Sequence, residues 1–137
     1  MNSSLRISAS GLTAQRIRLD VIANNLANAE TVQTAEGGPY RRQMVVFAAR
    51  GATDATGMTS TSEGVEVVDI VPDPSPFRTV YQPGHPLADA NGNVRYPNVN
   101  PIIEMVDLMS ATRAYEANVA AINAAKSMSA KALDILR

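Results

Sequence analysis

One imidazole, His85, stands in a chain of 137 residues, with Pro83, Gly84 and Pro86 around it. Asp69, Asp73 and Asp89 lie near enough in sequence to raise acid–base chemistry or a metal site. The residue types argue against both. An imidazole-based metal site needs further ligands of that kind, and covalent catalysis needs a nucleophile beside its base. With a single His, no Cys and no phosphate-cradling glycine loop, the chain supplies neither. His85 reads as a turn residue, and the sequence as that of a non-enzyme with no cofactor and no metal. Lys and Arg number 12 against 13 Asp and Glu. That balance excludes the basic excess of a nucleic-acid binder.

The most informative side chains are amides. Asn24, Asn25 and Asn28 fall within IANNLANAET, residues 22–31. Such a cluster is poor helix design, because Asn competes for backbone hydrogen bonds. Two readings stand side by side. Asn28 caps a helix and its neighbours are solvated, or the amides bond across a helix interface and fix its register, as buried Asn does in coiled coils.

The elements that must position these residues follow from punctuation and period. All eight Pro lie between Pro39 and Pro101, and seven of the eight Gly between Gly37 and Gly92. Both ends are nearly free of helix breakers, so the plan is helix, β-containing middle, helix. The first helix carries Leu5, Leu12, Leu19 and Leu26 in a seven-residue repeat, flanked by Ala9, Ile22 and Ala23. Asn2–Ser4 offer it capping side chains, Gly11 weakens it by about 1 kcal/mol, and it ends near Asn28 or Ala29. The last helix starts at Asn100-Pro101, an N-cap followed by Pro at the first helical position. Glu104 and Asp107 suit its positive end, Lys131 and Arg137 its negative end. Met105, Thr112, Val119, Lys126 and Leu133 form one heptad position, Leu108, Tyr115, Ile122, Ser129 and Leu136 another, with Ala111, Ala125 and Ala132 flanking.

Between the helices, Val65–Val71 and Phe77–Tyr81 read as short strands, and Asn91-Gly92 as a tight turn before Val94–Tyr96. Residues 48–62 read as a mobile loop. The fold class is mainly α, with long terminal helices in a coiled-coil-like region and a small β-containing, loop-rich middle. The segments divide as 1–30, 31–100 and 101–137. The 45% hydrophobic content includes 21 Ala and only six aromatics, which makes a thin core. A C-terminal helix of about 54 Å has more apolar stripe than so small a middle covers. The sequence describes a subunit of something larger. It has no run of about 20 apolar residues that would span a bilayer, and its start lacks the apolar stretch of a secretory signal.

IANNLANAET, followed by GGPYRRQ at residues 37–43, resembles the N-terminal signature of bacterial flagellar rod and hook proteins. GVEVVDIVPDPSPFRTVYQPGHPLAD, YPNVN and EMVDLMSATRAYEANVAAINAAK extend the likeness over nearly the whole chain. They narrow it to the proximal rod; the distal rod and hook relatives carry larger β-rich insertions. The resemblance implies a structural subunit that polymerises into a hollow shaft, transmits torque and conducts exported flagellar proteins, with the C-terminal helix on the inside. It implies further copies of the chain, other proximal-rod subunits, the rod-to-export-gate adaptor and the distal rod as partners. Export through the flagellar type III apparatus, without a cleavable signal peptide, would bring it to a periplasmic basal-body rod. The alternative is a soluble, helical type III secreted binding module engaging one partner. The residues expected at an assembly interface are Leu5, Leu12, Leu19, Ile22, Asn24, Asn25, Leu26 and Asn28 on the first helix. On the second they are Met105, Leu108, Thr112, Tyr115, Val119, Ile122, Leu133 and Leu136.

Overall fold

The computed structural model describes residues 2–51 and 63–136. Two helices, α1 (Asn2–Ala27) and α2 (Pro101–Ile135), bracket four strands: β1 (Gln43–Ala49), β2 (Val65–Pro72), β3 (Arg78–Tyr81) and β4 (Asn93–Tyr96). α2 starts as its sequence demands: Asn100 accepts from the Ile102 N–H at 3.0 Å, and Pro101 needs no donor partner. The helices pack antiparallel, and the β1–β2 ribbon lies against α1.

β1 pairs antiparallel with β2, and β3 with β4. The apolar run from Met44 to Ala49, flanked by Arg at both ends, is a strand that the sequence reading left unassigned. Its partner β2 carries a bulge at Val68, because Val46 faces Asp69 while Phe47 already faces Val67. Ala48 and Ala49 belong to β1 and not to the loop expected over residues 48–62, of which residues 52–62 lie outside the described residues. The expected Asn91-Gly92 turn is present, with Gly92 at φ +78° and the Asp89 carboxylate accepting from the Asn91 and Asn93 N–H groups, both at 2.9 Å. His85 serves the same connection, its Nδ1 accepting from the Leu87 N–H at 3.1 Å.

Other expectations shift. Asn2–Ser4 lie within α1 and not before it. α1 ends at Ala27, where the Asn28 N–H still reaches the Asn24 carbonyl at 3.1 Å. No basic residue occupies the last turn of α2, and Arg137 lies outside the described residues.

The helix seam is one residue off the expected stripes. On α2 the buried positions are Glu104, Ala111 and Ala125, seven or fourteen apart, with half-buried Asn118 completing the row. On α1 they are Gly11, Ala14, Ile22 and Asn25. The leucines of α1 are half-buried beside this line, and Met105 and Leu133 of α2 are exposed. The physical reason is closeness: small residues let the two backbones approach, and large ones flank the contact. Gly11 is the tightest point. A Cβ there would lie 2.8 Å from Asn118 Oδ1, whose own Nδ2 donates to the Ala114 carbonyl at 2.8 Å. The glycine that weakens α1 in isolation is what lets it meet α2.

Gly11→Leu should therefore destabilise the chain by about 2 kcal/mol, within the usual range for overpacking. Asn118→Ala in the same chain should recover part of the loss. Urea unfolding followed by circular dichroism checks both; an unchanged midpoint for Gly11→Leu contradicts the close approach.

Candidate assembly surface and its polar root

Asn25 sits in the last turns of α1, on the seam face, and is 1% exposed. Burial there requires a partner for every amide atom. Oδ1 accepts from the Gln43 N–H and the Tyr40 hydroxyl, both at 2.9 Å. Nδ2 donates to the Gln43 carbonyl at 2.9 Å and to Glu104 Oε2 at 3.3 Å. The side chain thus closes both backbone groups of Gln43 at the start of β1 and ties α1 to α2. Its neighbours act locally. Asn24 donates to the Tyr40 hydroxyl at 3.2 Å, and Asn28 donates back to the Asn24 carbonyl at 2.9 Å.

Glu104, 0% exposed, is the other pole. A carboxylate removed from water survives only with a charged, hydrogen-bonded partner. Arg42 supplies it, donating from Nε to Oε1 at 2.5 Å. The same guanidinium reaches Asp73 at 3.3 Å and Asp107 at 3.7 Å, and Arg18 of α1 approaches Asp107 at 3.9 Å. The Arg42 N–H donates to Asn98 Oδ1 at 2.8 Å, and Asn98 Nδ2 holds the Asp73 and Ser75 carbonyls. Arg41 grips the same two carbonyls, at 2.8 and 3.1 Å, with its guanidinium 4.2 Å from the Phe77 ring centroid.

The electrostatics follow from this geometry. Burial works against the Arg42 charge, but its bonds to Glu104 and Asp73 outweigh that and raise its pKa above the ordinary value. Burial raises the Tyr40 phenol, the Glu104 charge adds to this, and the Asn24 bond partly offsets it. Tyr40 stays a donor to Asn25. Hydrogen bonds from Ser75, then Arg42, lower the Asp73 carboxyl.

This cluster is the root of the helical hairpin. Among the residues expected at an interface, Ile22 and Asn25 are buried inside the chain itself. Leu5, Leu12, Leu19, Leu26, Asn28, Leu108, Tyr115, Val119 and Ile122 are half-buried along the helix pair, and Asn24 and Thr112 are exposed. Met105, Leu133 and Leu136 face solvent, joined by Ile102, Ile103, Val106, Met109, Met128 and Ile135. Arg42, Glu104 and Asn98 escaped sequence reasoning, and Glu104 looked like a helix-dipole residue. The signal was there: each lies in one of the motif blocks singled out, and those blocks converge at this root. Among the described residues no His, Cys, Asp and Glu group is placed to hold a metal, and no helix is long and apolar enough to cross a membrane.

Removing one member of the buried pair strands the other. Glu104→Ala should cost about 3–5 kcal/mol in urea unfolding, and Arg42→Met with Glu104→Met together should cost clearly less than the two singles combined. Additive losses contradict the pairing. Asp73 has a depressed native pKa, so its contribution is complete above the ordinary value of 3.8 and fades as the pH falls through the native one. Asp73→Asn should flatten that limb of the acid-unfolding curve; an unchanged limb contradicts the role given to Asp73.

Comparison with known proteins bears directly on this geometry. Residues 5–32 match the family described as flagella basal body rod protein, and residues 90–135 match that described as flagellar basal body rod FlgEFG protein C-terminal. The two matches cover α1 with the Asn cluster, and β4 with α2. The chain is 46% identical to the flagellar basal-body rod protein FlgC of Borreliella burgdorferi, over 98% of this chain and 97% of the relative. It is 48% identical to that of Bacillus subtilis, over 96% and 95%, and 47% identical to that of an Escherichia coli strain, over 94% and 92%. The chain belongs to the FlgC family and is a structural subunit of the flagellar basal-body rod.

Proposed function

We propose that the chain polymerises through its terminal helices, in coiled-coil-like packing, into the hollow shaft of the proximal rod. That shaft transmits torque across the periplasm and conducts exported flagellar proteins. Its neighbours in this reading are further copies, the other proximal-rod subunits, the rod-to-export-gate adaptor and the distal rod. The flagellar type III export apparatus delivers it.

The observation that carries the reading is the outer surface of α2. Ile102, Ile103, Met105, Val106 and Met109 at one end, with Met128, Leu133, Ile135 and Leu136 at the other, leave an apolar surface in water. Patches of this kind mark contacts with other chains. Contacts between unlike faces build an open helical rod where the rotation between neighbouring copies does not close into a ring.

The test separates assembly from folding. Met105→Asp and Leu133→Asp alter exposed side chains, so the purified chains should keep wild-type helicity and urea midpoints. In a strain lacking its own copy they should fail to restore swimming or the export of later flagellar proteins. His85→Ala should restore both. Full swimming by the two Asp variants would remove α2's outer face from the assembly.

A further inference from the structure

Asn25 opposite Glu104 and Gly11 opposite Asn118 fix one antiparallel register. It brings Asn2, the first residue of α1, level with Ser127. The helix from Met128 to Ile135 therefore runs on for about 12 Å with no α1 beside it. Met128, Lys131, Ala132 and Ile135 follow the i, i+3, i+4, i+7 spacing and share one face of this overhang. Met128 is 60% and Ile135 85% exposed.

A complementary surface lies elsewhere on the molecule. Ile17, Asp20, Val21 and Asn24 repeat the same spacing on α1, away from the buried seam. With Tyr40 of the root and Ile70 of β2 they line an open, mainly apolar groove of about 510 Å³. In both stripes the charge stands at the second position: Asp20 in the groove, Lys131 on the overhang. Among the described residues neither makes an ion pair within the chain.

We infer that the Met128–Ile135 overhang of one copy docks in the Ile17–Val21–Tyr40–Ile70 groove of a second copy, with Lys131 set against Asp20. The inference rests on the rod reading and names the partner of α2's free end. Three features single out a second copy of this chain. The overhang is too far from its own groove to fill it, the two stripes share one spacing, and their charges are opposite. Met128 and Ile135 enter the apolar floor beside Ile70 and Tyr40, while the Lys131–Asp20 pair at the rim selects the register. The contact joins unlike ends, so each copy offers a free groove to the next.

The chain has no cysteine, which makes crosslinking clean. Ile70→Cys with Ile135→Cys, expressed in a strain lacking its own copy and oxidised in intact cells, should give a ladder of dimers and higher multiples. Neither single variant should do so, nor should Val68→Cys with Ile135→Cys. In a second arm, Asp20→Lys should weaken assembly about tenfold, the effect of one interface charge pair, and Lys131→Asp in the same chain should restore it. Normal swimming with no ladder and no charge rescue overturns this contact while leaving the rod reading in place. Should the cysteine pair itself abolish swimming, charge rescue decides, its success supporting the contact and its failure overturning it. If the wild-type chain fails to complement the strain, the rod reading itself falls.

Discussion

A buried carboxylate with no exposure to water must be answered by charge and by hydrogen bonds, and Glu104 has both. Arg42 meets one oxygen and Asn25 the other. Satisfying that one group draws four parts of the chain together: the end of α1, the start of β1, the Asp73–Ser75 connection and the first turns of α2. Desolvating the ions costs several kcal/mol, so the pair is weak as a source of net stability. Its value is in geometry. Only one placement of α1 against α2 satisfies every atom of Asn25, and that placement sets the register all along the hairpin.

Away from the root, the helix pair is held by much less. Gly11, Ala14, Ala111 and Ala125 bury little apolar area, so each contributes little transfer free energy. They gain closeness instead, while the large side chains stay at the flanks and on the outer face. A rod subunit needs this division. The root defines one shape for every copy, and the exposed apolar side chains of α2 remain unspent by the fold of the monomer.

The gross plan was legible in the sequence because it depends on local signals. Pro, and every Gly but Gly11, confined to residues 37–101 marked the two helices, and Asn100-Pro101 marked where α2 begins. The seam was misread by one residue because hydrophobic periodicity finds large side chains, whereas the closest contact here is made by the smallest. By period Met105 and Leu133 are seam residues, yet they face water; Ala111 and Ala125 flank the seam by period, yet lie at its centre. The root was illegible for another reason. Arg42 and Glu104 are joined across 62 residues, and no local pattern tells a buried glutamate from a solvated one in a helix's first turn. Asn25 bonds across a helix interface, but one inside the chain, and Asn28 works at the helix end.

The central claim is that the Asn25–Arg42–Glu104 cluster holds the fold while the far ends of the helices are lightly attached. Native-state amide hydrogen exchange on the isolated chain tests it residue by residue. The amides of Asn25, Gln43 and the residues around Glu104 should exchange only through global unfolding, with the full free energy of the chain. Those of residues 3–9 and 126–136 should exchange through local opening at much lower cost. Equal protection at both ends of the helical hairpin, or a root that opens before the tips, would contradict the account.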